Sequence, residues 1–113
     1  MVRNIEAIKN RYMQDDLRTR LGGIAANLAR IASCSHDVDD SDAVFSMLEE
    51  SEFFIEWTAP EAPLDVQIPL VQLQIELALW RFRWAQACSQ SAERERLGRF
   101  ARTWSSNVLS LRE

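Results

Sequence analysis

With 113 residues, 47% of them hydrophobic, and a formal net charge of −4, the chain suits one domain, residues 1–113, built round one core. Its longest unbroken apolar run, Leu77 to Trp80, is four residues, far short of a membrane span. The opening MVRNIEAIKNRY lacks the apolar segment of a secretory signal, so a cytoplasmic protein is expected.

Residues 3 to 33 carry helical periodicity with a change of face. Ile5, Ile8 and Tyr12 form one stripe. Met13, Leu17, Leu21, Ile24, Leu28 and Ile31 form another, displaced by roughly half a turn at about 100° per residue. Gln14, Asp15 and Asp16 mark the change, and either aspartate can cap a restarted helix. The expectation is a kink, a break or a short separate helix over 3–13, then a main helix over 14–33. Gly22 and Gly23 fall inside it, and each costs about 1 kcal/mol relative to alanine in a helix. The pair reads either as a turn or, with Ala25, Ala26 and Ala29, as a place where another backbone comes close.

Ser33 to Asp40 reads as a polar loop. A second helix over 41–57, with Asp40 or Ser41 as N-cap, places Val44, Met47, Leu48, Phe54 and Ile55 on its apolar side. Glu49, Glu50, Glu52 and Glu56 are its wet side, while Phe45, Phe53 and Trp57 fall off the stripe, over neighbouring loops. TAPEAPLD, residues 58–65, is the clearest break. Pro60 and Pro63 disfavour helix there, Asp65 is the expected cap of the next element, and Pro69 is tolerable only near a first turn.

The stretch LVQLQIELALWRFRWAQAC, residues 70–88, admits two periods. Val71, Leu73, Ile75, Leu77 and Leu79 alternate with Gln72, Gln74, Glu76 and Ala78, as in a strand. As a helix, Leu70, Leu73, Leu77, Trp80, Trp84 and Ala87 form one stripe, and Val71, Ile75, Ala78, Phe82 and Ala85 a second roughly opposite. Leu, Gln, Glu, Ala and Arg are helix formers, so helix over 68–88 is the reading. Such a helix is sandwiched within its own domain or hides one side against another copy. After the turn SQSAE, with Ser89 or Ser91 as N-cap, a last helix over 91–111 carries Leu97, Ala101, Trp104, Val108 and Leu111. The last two helices pair as an antiparallel hairpin, with one continuous helix over 69–111 the lesser option.

Residues 37 to 56 hold eight acids and no base, leaving nine acids against thirteen bases elsewhere. That split reads as ordinary solvated faces, or else as a dipole that favours charged partners. Cys34 and Cys88 lie outside any CxxC pattern and read as small apolar fillers. Cys34, His36, Asp37, Asp39, Asp40 and Asp42 are the sharpest metal candidates. The calcium-loop match fails at Asp42, where glycine belongs, and at Leu48, where a bidentate acid belongs. No metal or cofactor is therefore expected. His36 is the only histidine, and no nucleophile elbow or phosphate-cradling glycine loop is present, so no enzymatic activity is expected.

WRFRW, residues 80–84, interleaves arginine with aromatics as single-strand nucleic-acid binders do. Residues 61–113 nevertheless balance seven bases against six acids, which weighs against that alternative. The reading overall is an all-α bundle of about four main helices. Its expected role is that of an interaction or assembly module, pairing with a second copy or another protein through Val71, Ile75, Leu79 and Phe82. Trp80 and Trp84 are the alternative outward pair. An Arg-rich nucleic-acid module is the second function class, and a metal- or carboxylate-dependent enzyme the third.

Overall fold

Asp16 decides where the first long helix starts: its carboxylate accepts the Thr19 N–H at 2.8 Å and so satisfies one of the donors a helix start leaves unpaired. The computed structural model describes residues 4–112. Among them are five α-helices and no strand: α1 Ile5–Tyr12, α2 Leu17–Cys34, α3 Ser41–Thr58, α4 Leu64–Ala87 and α5 Ser91–Ser110. The short α1 is a separate piece, capped by the Asn4 side chain, which accepts from the Ala7 N–H at 3.1 Å. Arg3 lies outside the described residues.

Gly22 and Gly23 continue α2 without a turn. The acidic loop contains a 3-10 turn, Val38–Asp40, capped by Asp37. Asp40 is the N-cap residue of α3, but its side chain makes no capping bond. A second 3-10 turn, Ala59–Glu61, takes Pro60 into the α3–α4 connection. Helix α4 then begins at Leu64, four residues before the expected start, with Pro63 as N-cap and Asp65 in the first turn. Pro63 has φ −64° and ψ 158°, an extended geometry that proline accepts and that an N-cap requires.

Pro69 is therefore inside α4 rather than at its start. It removes one N–H from the ladder, that which would reach the exposed Asp65. The loss falls on the water side, while Val66 and Leu70 on the inner side are buried and hold the helix down. Neither Ser89 nor Ser91 caps α5: Gln90 is the N-cap residue and Ser89 donates instead to the Gln86 carbonyl at 3.0 Å. Arg94 stitches this corner, donating to the carbonyls of Cys88 at 2.9 Å and His36 at 3.1 Å.

The four long helices run up and down in a closed ring, α2–α3–α4–α5–α2. Side-chain bonds tie neighbours to one another. Asn27 reaches the Met47 carbonyl and the Ser51 hydroxyl, Trp84 donates to the Ser41 carbonyl at 2.9 Å, and Ser105 donates to the Ala25 carbonyl at 2.8 Å. Trp80 meets Phe100 across the α4–α5 hairpin with ring centroids 6.1 Å apart. The core inside the ring is Leu21, Ile24, Leu28, Ile31, Val44, Leu48, Ile55, Leu70, Leu73, Leu77, Trp84, Leu97, Ala101 and Val108. The most extensively packed pair is α2 with α5, the two long helices farthest apart in sequence. Small residues permit it: a Cβ on Gly98 would stand 2.9 Å from the buried Ser35 hydroxyl. Cys34 and Cys88 are unpaired thiols at the edge of this core.

Helix α1 docks outside the ring, against α3. Tyr12 stacks flat on Phe54, with ring centroids 4.5 Å apart, and its other neighbour is Trp57. Its hydroxyl donates to the Arg20 carbonyl at 3.3 Å and shares a 2.7 Å hydrogen bond with Thr58. Arg20, itself buried, donates to the carbonyls of Asp15 and Met13 at 2.9 and 3.0 Å and to Glu61 at 3.1 Å. One guanidinium thus ties the α1–α2 corner to the α3–α4 corner.

Candidate docking surface on helix α4

Helix α4 buries one seam and exposes its opposite. The buried seam is Val66, Leu70, Leu73, Leu77, Trp80, Trp84 and Ala87, alternating steps of four and three along the whole helix. Leu64, Ile68, Val71, Ile75, Ala78, Phe82 and Ala85 repeat the same steps two residues out of phase. Two residues turn a helix by roughly 200°, so the second seam lies on the far side of the first. The bundle covers one side only. Leu64 is 67% exposed, Ile68 59%, Val71 42%, Ile75 59%, Leu79 57% and Phe82 85%.

All four residues expected at an interface, Val71, Ile75, Leu79 and Phe82, therefore lie on one water-facing ridge. Leu64 and Ile68 extend it toward the N-terminal end of the helix. Leu64 falls within the break expected over 58–65 and Ile68 is the first residue of the helix expected over 68–88, so neither was counted in the seam, although the four-three step continues back through them. The alternative outward pair is corrected: Trp80 and Trp84 are buried, because their positions continue the Leu70–Leu73–Leu77 seam. Trp84 also spends its indole N–H on the Ser41 carbonyl.

Charges keep to the flanks of the ridge. Arg81 on one flank forms a forked pair with Glu52 of α3, through Nε and Nη2, and the bond to that carboxylate makes the guanidinium hold its proton more firmly than usual. Gln74 on the same flank donates to the Glu52 carbonyl at 3.2 Å. Arg83 on the other flank lies over the Trp80 ring, 4.6 Å from its centroid. Of the WRFRW aromatics only Phe82 is open to water, so the stacking platform of a nucleic-acid binder is reduced to one ring.

Beside the ridge, α4 and α5 diverge to leave a groove of about 340 Å³ lined by Glu76, Leu79, Trp80, Arg83, Arg96, Arg99 and Phe100. Its arginines are interleaved with acids: Arg96 pairs with Glu93 and Arg99 with Glu95, both at 3.0 Å. The buried Oε2 of Glu76 has no hydrogen-bond partner there. Among the described residues no group of three or more His, Cys, Asp or Glu side chains is placed to hold a metal ion. Asp37 uses its carboxylate on the Asp39 N–H, at 2.9 Å. No described helix is long and apolar enough to cross a membrane.

Fold and surface together define a class: an up-and-down four-helix bundle with a short docked helix and one helix apolar on both sides. Comparisons with family models, with curated proteins and with solved structures find no match for the chain.

Proposed function

We propose that this protein is a non-enzymatic assembly module that pairs with a second copy of itself through the outer ridge of α4. The observation that supports the reading is the continuous apolar seam from Leu64 to Phe82, exposed although its mirror seam is buried. Soluble monomers scatter single apolar side chains over their surfaces, whereas contiguous patches mark contact sites. The ridge carries no charge at its centre, as the buried middle of protein interfaces usually does not. Its six large side chains offer on the order of 600 Å² per copy, so a pair removes roughly 1,200 Å² from water, the lower edge of what specific dimers bury. The four-three spacing is that of helices that interlock side by side.

Light scattering coupled to size exclusion tests this. The wild type is expected at twice 13.0 kDa, and Leu79→Glu/Phe82→Glu at 13.0 kDa with unchanged helical circular dichroism. A wild-type monomer at 100-micromolar-scale concentration, flagged by a mass of about 13 kDa, removes the reading.

A further inference from the structure

We propose that the two α4 helices pair antiparallel, with Asp65 of one copy against Arg83 of the other at both ends of the ridge; this rests on the pairing reading above. The argument begins with register. Asp65 and Arg83 are separated by 18 residues, five full turns at 3.6 residues per turn. They therefore lie on the same flank of the ridge, about 27 Å apart at 1.5 Å per residue. Both are exposed, and among the described residues neither is in a salt bridge with its own chain.

A two-fold axis perpendicular to a pair of helices runs them antiparallel and brings each flank against its own copy. Asp65 then faces Arg83 of the other copy, and the same contact recurs at the opposite end. Gln72, exposed near the middle of that flank, meets no like charge across the axis. A two-fold axis parallel to the helices does the reverse, setting each flank against the opposite one. Arg83 would then approach Arg81, whose guanidinium is already paired with Glu52, and Asp65 would find no opposite charge at the other end. Helix dipoles add to the difference, since antiparallel neighbours place each positive end beside a negative one. The apolar seam itself does not choose: Leu64, Ile68, Val71, Ile75 and Phe82 interlock in either sense. Orientation is decided by the two flank charges, a general use of charge at helix-pair margins.

Cross-linking reads the orientation directly. In a background with Cys34 and Cys88 replaced by alanine, Leu64→Cys and Ala85→Cys are made as separate proteins and treated with a short bis-maleimide. Antiparallel pairing is expected to give cross-linked dimer only when the two are mixed. Cross-linking of either protein with itself, or dimer by light scattering without mixed product, overturns the orientation while leaving self-pairing intact. A monomer by light scattering overturns both. Arg83→Glu is expected to weaken the dimer at least tenfold, and Asp65→Lys in the same chain to recover most of that loss; no recovery also counts against the Asp65–Arg83 contact.

Discussion

Tyr12 shows how much one side chain can hold at a helix junction. Burial pushes its phenol up to about 12, against the opposing pull of the Thr58 hydrogen bond. Below pH 10 the phenol is protonated in both folded and unfolded chains, and its contribution to stability is complete. Between pH 10 and about 12 only the unfolded phenol ionises, so stability falls by roughly 3 kcal/mol across that window. The chain has a single tyrosine, so its phenolate absorbance should appear near pH 12 or together with unfolding, rather than near 10. Tyr12→Phe should cost about 1–2 kcal/mol in urea denaturation, because Thr58 and the Arg20 carbonyl lose a buried partner. At the neighbouring corner, Arg20→Met should cost about 2–4 kcal/mol by leaving two carbonyls without their donor. Glu61→Gln should change stability by less than about 0.5 kcal/mol, since the Glu61 end of that ion pair is half in water. Neither Tyr12 nor Arg20 was legible as a latch from sequence, because their partners at 58 and 61 meet them only through the fold.

Among the helices, periodicity carried most of the information. The main helices expected over 14–33, 41–57, 68–88 and 91–111 correspond to α2, α3, α4 and α5, and the phase change at Gln14–Asp16 is a true break with Asp16 as cap. What periodicity could not weigh was tertiary support. Pro69 argues against an earlier start to α4, yet burial of Val66 and Leu70 outweighs the one missing backbone bond. Glycine shows the same limit: Gly22 and Gly23 lie in helix, but no other backbone comes close to them. The pair at 22 and 23 drew notice by its cost, but the tight contact is at Gly98, against the Ser35 and His36 side chains, and its isolation in an Arg-rich segment gave no signal. Substitutions should separate the two cases. Gly22→Ala and Gly23→Ala meet only ordinary contacts, at 3.5 and 3.9 Å, and should raise stability by up to about 1 kcal/mol each. Gly98→Ala should lower it by about 1–3 kcal/mol, because the Ser35 hydroxyl it meets is fully buried and bonded to the Ala32 carbonyl. Thermal melts of the three variants check the opposite signs.

For the molecule as a whole, the double seam on α4 was legible because two apolar stripes on one helix leave the same signature wherever it sits. Whether both stripes were covered was not legible, since that depends on how many neighbours the ring supplies, and the ring supplies them on one side. If the second side is covered by another copy, the melting temperature should rise with protein concentration in the wild type and stay constant in Leu79→Glu/Phe82→Glu. The ring has a further implication for how the chain reaches this shape. Its tightest seam joins α2 to α5, so the earliest long helix finds its best neighbour only after three connections have been traversed. Pairs such as α2–α3 and α3–α4 can form from local segments, but closing a long loop costs entropy that is recovered only when both ends meet. During synthesis, Leu21, Ile24 and Leu28 must therefore wait for Leu97, Ala101 and Val108 to emerge. Until they do, the nascent chain holds an open trough of aliphatic side chains, the kind of exposed surface that invites aggregation before a fold closes.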